Sequence, residues 1–180
     1  MRHTESGGPV RHRDRGQWLP RFSDRVLVVC PRCGGRAEVT PRPGLPPLKY
    51  VSELLFRPRR LTCAGCGTSA GWQAAERGSG LVLARLGGTE DPFFRRPLWL
   101  QTRCAGHVLW AYNEEHIEAL AGYVGATLRE GTAGHTQAMF PRLPRWMKES
   151  GHRTAVLAGL ERLRALSACS SPGDRSDAAH

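Results

Sequence analysis

The chain has 180 residues, 40% of them apolar, with 26 Lys and Arg against 16 Asp and Glu and a formal charge of +10. That length allows one domain, or one domain with a small module, around a modest core. The basic balance favours an anionic partner, nucleic acid first, and no aliphatic run near the start is long enough to span a membrane.

Only Lys49 and Lys148 are lysines, so arginine supplies the charge. Its forked donors suit phosphate, although an Arg-rich codon bias alone would give the same excess. Residues 26–77 carry eight basic residues against three acidic, so the front half holds most of the basic character. The first 25 residues are polar, with no apolar signal core. The expectation is a cytoplasmic protein in which the six cysteines stay reduced and the paired Cys-x-x-Cys motifs bind metal rather than form disulfides.

Residues 1–24 read as a disordered basic arm, with Trp18 and Phe22 as anchors at its end. Residues 25–77 read as a zinc ribbon. Val26 to Val29 form a strand leading into Cys30-Pro31-Arg32-Cys33-Gly34. "GRAEVTP" alternates like a second strand, and Pro41, Pro43, Pro46 and Pro47 end it. "RPRRLTC" leads a third strand into Cys63-Ala64-Gly65-Cys66-Gly67, and "SAGWQAAER" runs out of it.

Each Cys-x-x-Cys-Gly turn offers two sulfurs, and the glycine permits the positive φ that aims backbone N–H groups at sulfur. Cys30, Cys33, Cys63 and Cys66 together make a closed thiolate site suited to one structural Zn²⁺. Four thiolates around one divalent ion leave a charge of about −2. Arg32, Arg36, Arg59 and Arg60 lie beside the site in sequence and are the candidates for phosphate contact. They would equally serve to neutralise it. The paired knuckles also occur in rubredoxins, which hold one iron, but the Arg- and Pro-rich segment between them lacks that aromatic core.

Residues 78–167 read as a small sheet plus helices packed with the ribbon. "LVLARLG" is expected as a strand, "LWLQTRC" and "HVLWAYN" as a hairpin turning at Ala105-Gly106. Asn113 caps a helix whose apolar positions run from Ile117 to Leu128, ending near Gly131. Pro144 opens a short helix, and Val156, Leu160 and Leu163 mark a last amphipathic one. Residues 168–180 read as a disordered tail. The fold class expected is α+β: a ribbon of short antiparallel strands continued by a small antiparallel sheet with two or three C-terminal helices.

Cys104 and His107 have half-site spacing but no matching pair, and a hairpin turn with a buried thiol is the preferred reading. Trp99, Trp110, Tyr112 and Trp146 read as core before base-stacking platforms. No constellation of base, nucleophile and oxyanion donors is visible, so the chain is expected not to be an enzyme.

Three blocks, "CPRCGG…LTCAGCG", "DPFFRRPLWLQTRCAGHVLWAYNEEHIEALAGYVGATLRE" and "LPRWMKESGHRTAVLAGLERLR", resemble small bacterial proteins with a transcription-factor-IIB-type zinc ribbon. They cover most of residues 26–167. The resemblance implies that the four cysteines are the metal ligands, and that family's function is itself not established. The function expected is binding of nucleic acid or a nucleic-acid-handling complex through a basic ribbon face. The alternatives are a protein–protein adaptor with structural zinc and a rubredoxin-like iron redox protein.

Overall fold

The structure is a computed structural model and describes residues 11–13, 17–126, 128–130 and 139–175. Its strands in chain order are β1 (Arg11–Arg13), β2 (Val26–Val29), β3 (Arg36–Pro41), β4 (Arg59–Thr62), β5 (Ser69–Trp72), β6 (Glu76–Arg77), β7 (Gly80–Leu81), β8 (Gln101–Cys104), β9 (His107–Trp110) and β10 (Leu128–Glu130). The helices are α1 (Glu114–Gly125), α2 (Arg145–Lys148) and α3 (Arg153–Ser167). The α+β architecture is the one expected, with an antiparallel ribbon followed by a hairpin and helices.

Strands β2 to β5 form one antiparallel meander in chain order. Alternation sets its faces. Ala37 and Val39 of β3 and Leu61 of β4 point inward, while Arg60 and Thr62 point out. Strand β2 instead buries Val26, Leu27 and Val28 in succession, as an unbroken apolar run does when both faces are covered.

The second edge of β2 is also occupied. The Leu27 amide donates to the Tyr112 carbonyl at 2.8 Å, and the Trp99 amide donates to the Leu27 carbonyl at 2.9 Å. The Val29 amide donates to the Pro97 carbonyl at 2.9 Å. The ribbon and the later half therefore share one strand and one core, in which Trp99, Tyr112 and Ile117 have no exposed surface. Each large side chain so buried contributes about 1.5–3 kcal/mol.

Local signals build the second half. Ala105 and Gly106 both have positive φ, 49° and 77°, the geometry a two-residue hairpin requires. Helix α3 crosses that hairpin at Gly159, where an added Cβ would stand 2.8 Å from a Leu109 methyl and 3.6 Å from the Cys104 sulfur. Asn113 caps α1 by accepting from the His116 amide at 2.9 Å. Its side-chain amide donates to the carbonyls of Phe22 and Arg25 at 2.8 and 2.6 Å.

Four expectations need correction. Residue 24 is no boundary: Leu19–Ser23 forms a 3₁₀ turn and Phe22 is fully buried, stacked on His116 at 4.8 Å. Arg11–Arg13 pairs in parallel with β10; residues 1–10 and 14–16 of the expected arm lie outside the described residues. "LVLARLG" contributes only Leu81, which with Gly80 forms β7, and Leu81, Val82 and Leu83 stay exposed. Helix α1 ends at Gly125, where Ala126 turns extended and the Arg153 guanidinium takes its carbonyl at 2.9 Å.

The expected tail is the fourth. Residues 168–175 are packed: the Ser170 carbonyl accepts from the Arg36 amide at 2.9 Å, and Arg175 donates to the Trp99 carbonyl at 3.2 Å. Residues 176–180 lie outside the described residues. Among the described residues no helix is long and apolar enough to cross a membrane.

Candidate metal centre

The two knuckles repeat one backbone device. Gly34 and Gly67 sit at φ 73° and 72°. The Gly34 amide returns to the Cys30 carbonyl at 3.0 Å, and the Gly67 amide to the Cys63 carbonyl at 2.9 Å. The Cys30 amide donates to Gly35 and the Cys63 amide to Thr68, at 2.8 and 2.9 Å. Each knuckle is thus closed at both ends by its own backbone hydrogen bonds.

The pairing of β3 with β4 brings the knuckles together. All four sulfurs lie within 4.8 Å of one another, with Cys30–Cys66 and Cys33–Cys63 each at 3.6 Å. A tetrahedron of metal–sulfur bonds of about 2.3 Å has sulfur–sulfur edges of about 3.8 Å, so the set fits one ion with little movement. Cys30, Cys33, Cys63 and Cys66 can hold a metal ion.

Backbone N–H groups already address the sulfurs. The Arg32 amide points at Cys30 at 3.4 Å, and the Thr68 hydroxyl lies 3.1 Å from Cys66. That hydroxyl, with the Thr68 amide, lowers the Cys66 thiol to about 6. Although the Gly35 amide favours the Cys33 thiolate, the Cys66 thiol, burial and the other two thiols push Cys33 up to about 12. Without a cation the cluster therefore stabilises only part of its four negative charges.

The four arginines named from the sequence do not act alike. Arg32 is exposed at the tip of the first knuckle. Arg36 is half-buried, and its guanidinium donates to the Ser167 carbonyl. Arg60 is exposed, with Nε 3.1 Å from the Ser69 hydroxyl. Arg59 must be withdrawn as a phosphate ligand because it has no exposed surface. It donates to the carbonyls of Ser23 and Leu54 at 2.9 and 2.6 Å and lies 4.2 Å over the Phe93 ring. Burial lowers its pKa to about 10, so it remains a cation holding the segment before β2 to the turn at Val51–Leu55.

No protein-family model, curated protein or solved structure matches this chain.

Cys104 and His107 face each other across the ends of the β8–β9 hairpin, Cys104 buried and His107 exposed and stacked on Trp146. His116 is buried beside Phe22, Cys169 bonds back to the Ala165 carbonyl, and His135 lies outside the described residues. The aromatic residues expected in the core divide: Trp99 and Tyr112 are fully buried, while Trp110 and Trp146 are half-buried.

Sequence reasoning missed Thr68, Arg42 and the Ser170 carbonyl. Thr68 was legible as a hydroxyl two residues after a ligand cysteine. Arg42 lines a shallow groove of about 350 Å³ with Pro43, Arg59, Arg60, Ser69, Ala70 and Gly71, and no acidic side chain lines it. The small residues of β5 leave the backbone open between two cations.

Proposed function

We propose that this is a non-enzymatic zinc-ribbon protein, with one structural Zn²⁺ on Cys30, Cys33, Cys63 and Cys66, that binds nucleic acid or a nucleic-acid-handling complex through the outer face of the ribbon. Zinc is preferred because four clustered thiolates in paired knuckles suit it and the intervening segment lacks a rubredoxin-type aromatic core, and the closed site makes its role structural. A coloured protein with a reversible one-electron couple would favour iron instead. The proposal includes kinship with the bacterial proteins that carry a transcription-factor-IIB-type ribbon.

The observation that carries the partner reading is the groove between Arg42 and Arg60, floored by Gly71 and lined by no carboxylate. Arg32 adds a third exposed cation beyond it on the same module. Backbone phosphates need only such closely approachable charge, without base readout.

The test is metal analysis of protein grown without added metal, paired with binding to single- and double-stranded DNA and RNA at two salt concentrations. One zinc per chain with salt-sensitive binding supports the proposal. One zinc with no binding moves the reading to a protein–protein adaptor. The exposed Leu81-Val82-Leu83 run favours that second reading, since contiguous exposed apolar residues mark interaction sites.

A further inference from the structure

Away from the cysteines, a cavity of about 440 Å³ opens among the β8–β9 hairpin, α1 and the segment carrying α2. Small-molecule sites commonly span about 300–1,000 Å³. Its wall is aromatic and thioether-rich, built by Trp18, Trp110, Trp146, Met139 and Met147. These rings are held. Trp146 stacks on His107 with centroids 4.7 Å apart and planes 9° from parallel. Trp110 meets His116 edge-on at 5.6 Å. The Met139 amide donates to the Gln17 carbonyl at 2.8 Å, tying two walls together.

Apart from Arg142, which is exposed, and the indole N–H groups, the polar side chain in this wall is His116, 2% exposed. Phe22 covers one face of its ring. Its Nδ1 accepts from the Tyr112 amide at 3.3 Å. An imidazole whose Nδ1 accepts carries its proton on Nε2. None of the described residues accepts from that N–H. The Nε2 atom keeps some accessible surface, so solvent can serve that N–H until a ligand acceptor replaces it. Burial lowers the His116 pKa to about 3, so the ring is a neutral donor and not a cation.

We propose that this cavity binds a small flat molecule of one or two fused aromatic rings, whose neutral acceptor, a ring nitrogen or carbonyl, takes the His116 Nε2–H. Trp110 and Trp146 offer the ring faces and edges that aromatic pairs prefer. Met139 and Met147 adapt to ring outline. A carboxylate is disfavoured at His116 because that ring is a neutral donor and its buried position would strip the charge of water. The site is separate from the ribbon, so it stands whether or not the protein binds nucleic acid.

The test compares quinoline with naphthalene, the same outline without an acceptor, on the zinc-loaded full chain. Binding is followed by protein NMR, including the His116 side-chain nitrogens. Quinoline should bind about fivefold more tightly than naphthalene, the worth of one hydrogen bond, and move the Nε2 resonance. His116→Phe should erase that preference and keep naphthalene binding. Leu143→Trp, which fills the cavity without touching His116, should abolish both. Equal binding of the two rings to the native protein, or a preference that survives His116→Phe, overturns the proposal. So does absence of binding by either ring at about 0.2 mM. Tighter binding of N-acetyltryptophanamide than of quinoline would assign the cavity to a partner's side chain and overturn it equally.

Discussion

The amide of Arg36 donates to the carbonyl of Ser170 at 2.9 Å, so the residue that opens β3 is bonded to the segment that follows α3. Gly35 makes the approach possible. A Cβ there would stand 2.8 Å from the Ser170 carbonyl oxygen and 3.5 Å from the Cys33 sulfur. Gly35→Ala should therefore lift the C-terminal segment off the first knuckle, at a cost of about 1–3 kcal/mol. Limited proteolysis should find new cleavage after Ser167, and thermal unfolding should shift down. Unchanged proteolysis would show that the segment is not held there.

Removing the metal should act locally before it acts globally. Strands β4 and β5 flank the second knuckle, and β5 pairs with β4 alone in the sheet, whereas β2 is bonded on both edges. Chelation, or Cys63→Ser, should speed amide exchange in β4 and β5 while α1 and α3 stay protected. Equal loss of protection throughout would mean that the metal holds the whole core.

Two neighbouring arginines should separate binding from stability. Arg59→Met removes a buried cation that holds three segments and should cost about 3 kcal/mol, leaving nucleic-acid binding unchanged. Arg60→Ala should leave the melting temperature within about a degree and flatten the salt dependence of binding by about one phosphate contact. Denaturant titrations and binding at several salt concentrations read both. The reverse pattern would remove the outer face as the binding surface.

Legibility in the sequence followed the range of the interaction. The knuckles, the Ala105-Gly106 turn and the Asn113 cap are local patterns, and each is where the spacing puts it. Arg59 was also legible. In Arg59-Arg60-Leu61-Thr62 the inward Leu61 fixes Arg59 on the same face, by the two-residue period of a strand. Two of its three carbonyl acceptors, Ser23 and Asp24, lie 36 and 35 residues away, which no local pattern announces. The strand expected at "LVLARLG" failed for the opposite reason: the apolar run is present, but only Leu81 joins a strand pair, and Val82 and Ala84 make single backbone bonds to Ala75 and Leu55. The groove beside Arg42 and the cavity beside His116 exist only once distant elements meet.

Acid should weaken the fold through His116. Burial lowers its folded pKa to about 3, below the ordinary 6.5 of the unfolded chain. Between those values the unfolded state binds the extra proton. The stabilisation is therefore complete above about pH 6.5 and is lost as pH falls toward 3, by about 1.4 kcal/mol per pH unit at most. Denaturant unfolding across pH 8 to 4, compared with His116→Phe, isolates the effect, since thiol protonation is common to both proteins. Parallel curves would show that His116 is not neutral in the fold.

The double occupancy of β2 also bears on how the chain is made. All four cysteines leave the ribosome well before Tyr112 does, so the knuckles can be loaded while the strand's second edge has no partner. Until the segment from Pro97 to Tyr112 arrives, the nascent ribbon shows an apolar, unpaired β2 edge, the kind of edge that recruits foreign strands. Early metal capture would shorten no part of that wait. Ribosome stalling between those two points should therefore trap the most aggregation-prone form of the protein, and a chain cut there should need a chaperone even with its metal in place.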